Sequence, residues 1–343
     1  MTLGSPNIRK VIALWRRGSV VSHRSFEDIV GDEFEKFRLD VYLAEAIEDA
    51  SRSFVKKMIK DGLVSVNGGV CTRPGRPMST GDKVAVEIPP PPPALPDPED
   101  IPLDIVYQDA DLVVVNKSSG MVVHPAPGHF TGTLVNAVLF HCKDFQLSGV
   151  DMTRPGVVHR IDRYTSGLLV LAKTSRAFAG LSEQVREHSF DRRYLALVRG
   201  EFPEDRGRIN VPIGRSISDS GRMSVTGIRG RDAVTRFEVL ERFGSASHVG
   251  LVLETGRTHQ IRVHLRYAGR PVLGDPVYGV TDYSAWRGDL SLVAALEGLQ
   301  GQALHAERLG FIHPATGEKM DFSAPPPPDF MCVLEALRVS ARG

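Results

Sequence analysis

Residues able to do acid–base or nucleophilic chemistry, or to bind an anion or an aromatic ring, occur at three places along this chain. The stretch Gly156-Val157-Val158-His159-Arg160-Ile161-Asp162-Arg163-Tyr164-Thr165-Ser166-Gly167 sets a cation and a carboxylate two residues apart. On a strand over Gly156 to Asp162, alternation would point Arg160 and Asp162 to one face. Taken alone, that spacing reads more readily as a surface ion pair of small consequence. Tyr194, in Arg192-Arg193-Tyr194-Leu195-Ala196-Leu197-Val198, offers an aromatic face, though in isolation it reads as a core tyrosine. The run from Thr255 to Gly274 carries Arg257, Arg262, Arg266 and Arg270 with no acid. Such a local excess can meet phosphates even though the formal net charge of the chain is only +1. A carboxylate that acts as base or nucleophile must be ionised, and a neighbouring guanidinium favours that form.

Other chemistries find little support. His259 and His264 would stand about 140° apart around a helix and share no face. His124, His129 and His159 are scattered, no HExxH is present, and Cys71, Cys142 and Cys332 form no CxxC pair, so no metal site is expected. No P-loop occurs, nor a GxGxxG after a strand, and no cofactor is expected. Three distant cysteines suit a reducing, cytoplasmic compartment and no disulfide framework.

The elements that must position these residues fall into two domains, as 343 residues suggest. Hydrophobic residues make up 42% and charged residues 24%, which are globular values. No apolar run approaches the ~20 residues of a membrane span. Val11 to Trp15 is too short for a signal-peptide core, so residues 1–30 are expected to be a flexible extension. The prolines from Pro89 to Pro98 predict a semi-rigid linker over 89–100, with a proline-rich ligand for a partner domain as the lesser alternative. Before it, residues 36–88 form a small domain: a helix from Phe37 to Ala50, a second capped by Ser51 through Lys60, a strand from Leu63 to Val66, an Asn67-Gly68 turn and a strand from Lys83 to Ile88. After it, residues 101–331 mix strands and helices. Strands are predicted at Leu112 to Lys117, Gly156 to Asp162, Gly167 to Lys173, Tyr194 to Val198, Arg236 to Leu240 and Val249 to Leu253. Helices are predicted at Thr133 to His141, Ser175 to Glu187 and Thr258 to Ala268, with Gly269 as the last one's stop. The prolines at 325–328 are read as ending the core before a short tail helix, with residues 332–343 as the C-terminal tail. The fold class is α+β with a mixed, largely antiparallel sheet.

In the small domain, Arg52, Lys56 and Lys60 lie on one helical face with Lys57 beside them, and Arg73 and Arg76 follow the hairpin. From charge alone this reads as a solvated basic face. The order Arg38-Leu39-Asp40-Val41-Tyr42-Leu43-Ala44, Ser51-Arg52-Ser53, Ile59-Lys60-Asp61-Gly62-Leu63-Val64-Ser65-Val66-Asn67-Gly68 and Gly81-Asp82-Lys83-Val84 resembles the S-four RNA-binding domain. That resemblance implies a grip on folded RNA by Arg52, Lys56, Lys57, Lys60 and Arg73.

The string from Gly156 to Lys173 resembles the signature of the RluA family of pseudouridine synthases, with Ile161 where leucine is usual, a volume-conserving exchange. The tyrosine strand (with Arg192 where lysine is frequent), Glu254 to Leu265, Pro271 to Gly279 and Leu304-His305-Ala306 through Glu318 are also similar, so the resemblance runs from about residue 36 to 329. The segment Ile217-Ser218-Asp219-Ser220-Gly221-Arg222-Met223 is poorer in cations than the family pattern. The resemblance implies that Asp162 is the catalytic aspartate, that Arg262 pairs with it, that Tyr194 stacks on the target base, and that Arg160 fills the place of a flipped-out base. It implies RNA contacts from Arg257 and Arg266, a monomer and no cofactor.

The implied reaction is an isomerisation: the nitrogen-to-sugar bond of uridine breaks, the ring turns, and carbon 5 bonds the same sugar carbon. A base in structured RNA must first be flipped out, which costs a few kcal/mol, and stacking on an aromatic returns roughly 1–3 kcal/mol. An S-four domain joined to such a catalytic domain is similar to the RluD branch, which implies large-subunit (23S) ribosomal RNA or its precursor particle as partner, with transfer RNA second. A non-catalytic RNA-binding assembly factor and a uracil-releasing hydrolase are the competing readings.

Overall fold

The computed structural model describes residues 11–13, 24–47, 50, 52–88, 95–126, 129–145, 154–216, 219, 222–226 and 230–342. The chain divides into two units, residues 1–92 and 93–343.

In the first unit, strands β1 (Val11–Ala13), β2 (Arg24–Ile29), β3 (Val64–Val66), β4 (Gly69–Val70) and β5 (Lys83–Ile88) form an antiparallel sheet in the order β1-β2-β5-β3-β4. Helices α1 (Leu39–Ala46) and α2 (Arg52–Lys60) bury Leu39, Tyr42 and Leu43, and Val55, Met58 and Ile59. Both triplets have the i, i+3, i+4 spacing that makes one apolar stripe. Asn67 and Gly68 take φ of 56° and 81°, as a tight hairpin turn requires. The first helix ends at Ala46, short of Ala50, and Ser51 lies outside the described residues. Residues 24–29 correct the expectation of a flexible extension over 1–30. They pair with β5 along its length and bury Phe26 in the core. A single alternating aromatic was too brief a pattern to announce a strand.

One buried acid organises this unit's basic face. The Asp40 carboxylate, with no exposed side-chain surface, accepts from Arg38 at 2.9 Å and Arg52 at 3.2 Å, with Lys56 at 3.6 Å. Burial opposes its charge, and the two arginines outweigh burial and hold its pKa below the usual carboxylate value.

The second unit is built on strands β6 (Asp104–Gln108), β7 (Leu112–Lys117), β8 (Ser166–Ala172), β9 (Asp191–Arg199) and β10 (Arg206–Asn210), a separate hairpin of β11 (Ile213–Arg215) and β12 (Met223–Val225), then β13 (Val234–Arg242), β14 (Ala246–Leu253), β15 (Leu304–Ile312) and β16 (Lys319–Ser323). Its main sheet runs β10-β13-β14-β9-β15-β8-β7-β6, with β16 also on β15. Only the β15–β8 pair is parallel among the described residues, so the sheet is mixed and largely antiparallel, an α+β architecture. Gly167 makes that pair possible. A Cβ there would stand 2.3 Å from the Ala306 carbonyl oxygen, and its φ of 111° is a glycine conformation.

Helices α3 (Leu134–His141), α4 (Ser175–Arg186), α5 (Gln260–Tyr267), α6 (Leu290–Glu297) and α7 (Pro328–Ser340) complete the unit. The tail helix expected beyond the proline run is α7, and it belongs to the core instead of following it. Its Phe330, Val333, Leu334 and Leu337 are buried with Leu292 and Leu296 of α6. The expected linker also ends earlier than residue 100, because the Asp97 carbonyl accepts from the Asn136 side chain and the Glu99 N–H donates to the Asn136 carbonyl. Residues 89–94 lie outside the described ones.

Three buried histidines are locked as neutral rings. His264 bonds the Thr235 hydroxyl and the Val211 carbonyl, and His305 bonds the Ser166 hydroxyl and the Ala324 carbonyl. His159 accepts the N–H of Val170. Burial lowers all three pKa values, that of His159 to about 3. Their folded pKa values lie below the unfolded ones, so the stability they confer is full above about pH 6.5 and is lost progressively as pH falls from there through the folded values. Urea unfolding of the intact chain at pH 7.5 and pH 5.5 is expected to give a clearly lower midpoint at pH 5.5. Equal midpoints would contradict neutral burial.

Candidate active site

The segment that carries Asp162 is fastened by side chains rather than by a strand ladder, which corrects the strand predicted over Gly156 to Asp162. The Gly156 carbonyl accepts from Ala172, and Val157 bridges Leu171. At the next free N–H of β8, Val170, the imidazole of His159 accepts where a strand backbone would have. The chain therefore lifts off the sheet at residue 159. Ile161 turns into the core, where burying such a side chain contributes about 2 kcal/mol. The Thr165 N–H returns to the Asp162 carbonyl and closes a turn. Arg160 and Asp162 face the same cleft because of this loop, not because of strand alternation.

Below the turn lies Lys117, a residue the sequence reading did not single out. It is almost fully buried at the end of β7, and its ammonium donates to the carbonyls of Ser118 (2.7 Å), Met121 (3.0 Å) and Arg163 (3.0 Å). Burial lowers its pKa to about 7, opposed by the charge of Asp162. Three acceptors match the three donors of an ammonium, so this cage is built for the charged form.

Arg262, on α5, joins two carboxylates. Its Nη1 donates to Asp162 Oδ2 at 2.8 Å, and its Nε and Nη2 donate to Asp275 Oδ2 and Oδ1, both at 2.7 Å. The Arg262 and Asp275 side chains are 5% and 1% exposed, whereas Asp162 keeps 18% of its surface open to the cleft. Asp275 also accepts the N–H groups of Val277 and Tyr278. Burial opposes the charge on both members of this pair, and their mutual hydrogen bonds and attraction outweigh it, raising the pKa of Arg262 and lowering that of Asp275. The Tyr278 ring stacks under the guanidinium at 4.9 Å.

The empty space of the cleft, its open mouth included, is about 360 Å³. Its floor is Ile161, Thr165, Tyr194, Leu253, Ile261 and Leu304, and Arg160, Arg257 and His259 join Asp162 and Arg262 around it. Tyr194 stands in the middle of β9 opposite Leu251 and Ala306, buried, with its pKa raised by burial. Arg160 is exposed at the rim. A cleft with an aromatic, a carboxylate held by a buried guanidinium and cations around the opening can take one planar base and its phosphate.

Comparison with known proteins places Asp162, Tyr194 and Arg262 within a family match. A family model described as RNA pseudouridylate synthase matches residues 111–267, and one for the S4 domain matches residues 37–84. A ribosomal large subunit pseudouridine synthase D of Zymomonas mobilis is 45% identical over 316 residues, spanning 91% of this chain and 97% of that protein. The chain belongs to the RNA pseudouridylate synthase family. An RNA pseudouridine synthase of Bacillus subtilis is 46% identical over 91% of this chain and 98% of its own length. Among solved structures, human RNA pseudouridylate synthase domain containing 1 is similar with a TM-score of 0.51 and 28% identity, over 70% of this chain and 96% of that one. The synthase is therefore an isomerase that acts on RNA through an S4 domain and a pseudouridine synthase fold.

The synthase brings together Asp162, Arg262, Tyr194, Arg160 and Arg257 in one cleft. Arg266 lies outside it, exposed on α5, with its guanidinium on the Tyr278 carbonyl. In the S4 domain the basic residues differ in how far their charge is spoken for. Arg52 and Lys56 share Asp40 and Lys57 pairs with Asp61, while Lys60 and Arg73 are exposed. Asp275 and Lys117 were missed. Asp275 had a visible signal, being with Glu254 one of the two acids that flank the arginine-rich run, whereas nothing local marks Lys117.

Two substitutions probe these supports. Asp275→Asn leaves Arg262 with one anionic partner in place of two, and should cost about 3 kcal/mol of stability and most of the activity. Lys117→Met takes the ammonium from three partly buried carbonyls, costing roughly 1 kcal/mol for each. Thermal unfolding should then show the larger unit melting about 6–12 °C lower, and an unchanged melting temperature would remove Lys117 from this role.

Proposed function

We propose that Asp162 is the catalytic carboxylate with which this synthase converts uridines of large-subunit (23S) ribosomal RNA to pseudouridine. The observation that carries the assignment is the Asp162–Arg262 hydrogen bond of 2.8 Å at the wall of a cleft that also holds Tyr194. The isomerisation needs an ionised group beside the sugar. One carboxylate oxygen of Asp162 is occupied by Arg262, and the other is turned to the cleft. Loss of the carbon 5 proton balances protonation elsewhere on the ring, so no group is transferred and no redox partner enters. Tyr194 gives the everted base an aromatic surface, and Arg160 at the rim is placed to fill the gap the base leaves in the RNA.

The choice of ribosomal RNA is supported by the relatives named ribosomal large subunit pseudouridine synthase D, from Zymomonas mobilis and Neisseria meningitidis, at 45% and 44% identity. The S4 domain, with Lys60 and Arg73 exposed, would grip a folded RNA nearby.

Asp162→Asn should bind RNA as the native chain does and lose activity by roughly 10³-fold or more. Carbodiimide mapping of cellular RNA, from strains with the native gene, without it and with the Asp162→Asn gene, reads both parts. Signals lost from transfer RNA instead would redirect the substrate, free uracil as product would make the chain a hydrolase, and full activity of the variant would reject Asp162.

A further inference from the structure

Asp162 has two oxygens, and only Oδ2 is engaged by Arg262. Facing Oδ1 is His259, whose Nε2 lies 3.8 Å away. His259 is the residue before α5 and takes φ 55° and ψ 22°, a left-handed conformation uncommon outside glycine, and its side chain makes no capping hydrogen bond. Its backbone is held there by its neighbours. Gln260 accepts from the Arg257 N–H and the Thr255 hydroxyl, and donates to the Val234 carbonyl and Thr235 hydroxyl. A conformation this constrained, with a ring aimed at the catalytic carboxylate, calls for a reason beyond helix initiation.

The other ring nitrogen supplies it. Nδ1 of His259 lies 2.9 Å from the hydroxyl of Tyr278, and that same hydroxyl accepts the Met223 N–H at 2.9 Å. Met223 takes one lone pair of the phenol oxygen, which leaves the phenol hydrogen free to be donated to His259 Nδ1. A neutral imidazole whose Nδ1 accepts carries its hydrogen on Nε2. Tyr278 thus selects the tautomer that presents an N–H to Asp162.

We propose that His259 is a positioning residue whose Nε2–H takes hold of the free oxygen of Asp162 when RNA is bound, with Tyr278 fixing its tautomer. The present 3.8 Å is beyond hydrogen-bond range, and contacts of this kind shorten when substrate closes the site. The two Asp162 oxygens are then held by different donors, Arg262 from one side and His259 from the other, and the carboxylate cannot rotate about its own axis. Burial, Arg262 and Arg160 keep the ring neutral, against Asp162 and Asp275, while Tyr278 is the remaining titratable group against it.

The inference rests on Asp162 as the catalytic carboxylate, and the test separates the two. Glutamine places an amide nitrogen near the position of Nε2, whereas asparagine, which tolerates the left-handed backbone, is too short to reach Asp162. Steady-state kinetics on RNA should show kcat of His259→Asn reduced between about 10- and 100-fold with KM unchanged. His259→Gln should stay within about three-fold of the native enzyme, and Tyr278→Phe should fall between them. In ¹⁵N-labelled full-length protein, His259 should show the Nε2–H tautomer, and its pKa should drop further in Asp162→Asn, where the neighbouring negative charge is gone. Equal losses in the asparagine and glutamine variants, a change confined to KM, or an Nδ1–H tautomer would overturn the proposal. If Asp162→Asn is inactive while His259→Asn is fully active, only this inference fails. If Asp162→Asn is active, the assignment of Asp162 fails and takes this one with it.

Discussion

A guanidinium buried to 5% exposure keeps its charge only if fixed anions replace the water it has lost. Arg262 solves this with two carboxylates of different standing. Asp275 is bidentate, buried and itself tied to two backbone N–H groups, so it is the permanent counter-ion. Asp162 takes the remaining nitrogen and stays open to the cleft. The stronger pair makes Arg262 a rigid donor, and the rigid donor orients the carboxylate of Asp162. Helix α5 and the segment after it serve to bring these charges together.

The loop that delivers Asp162 obeys the same economy of fixed partners. It runs beside β8 yet forms no strand, because His159 substitutes for a backbone acceptor and the chain then rises from the sheet. Lys117 takes the Arg163 carbonyl from below, Ser119 takes that of Tyr164, and Gln302 bonds the hydroxyl of Thr165. Gly167 lets β15 approach closely enough to seat the turn. A loop held at so many points is preorganised, and preorganisation is what electrostatic control of a developing charge demands.

In the S4 domain, charge counting misleads without coordinates. Three cations converge on the buried Asp40, which fixes where their side chains start but neutralises part of their charge. The unpaired positive charge on this face is narrower than the arrangement of basic residues on α2 implies, since Arg52, Lys56 and Lys57 each stand beside a carboxylate while Lys60 and Arg73 are exposed.

The sequence by itself determined the S4 helices and hairpin and five of the eleven described strands of the larger unit, because periodic apolar spacing is a local property, while the grouping of Asp162, Tyr194 and Arg262 was legible only through ordered motifs that resemble a known family. Four things were decided by tertiary structure. Residues 24–29 became a strand because β5 offered them a full edge. Residues 332–340 became part of the core because α6 offered an apolar face. Residues 156–162 failed to become one because an imidazole took the hydrogen bond that a strand would have needed. Asp275, Lys117 and the His259–Tyr278 pair acquired their places through contacts that span 13 residues for Arg262–Asp275, 46 for Lys117–Arg163 and 19 for His259–Tyr278, separations that no local pattern encodes.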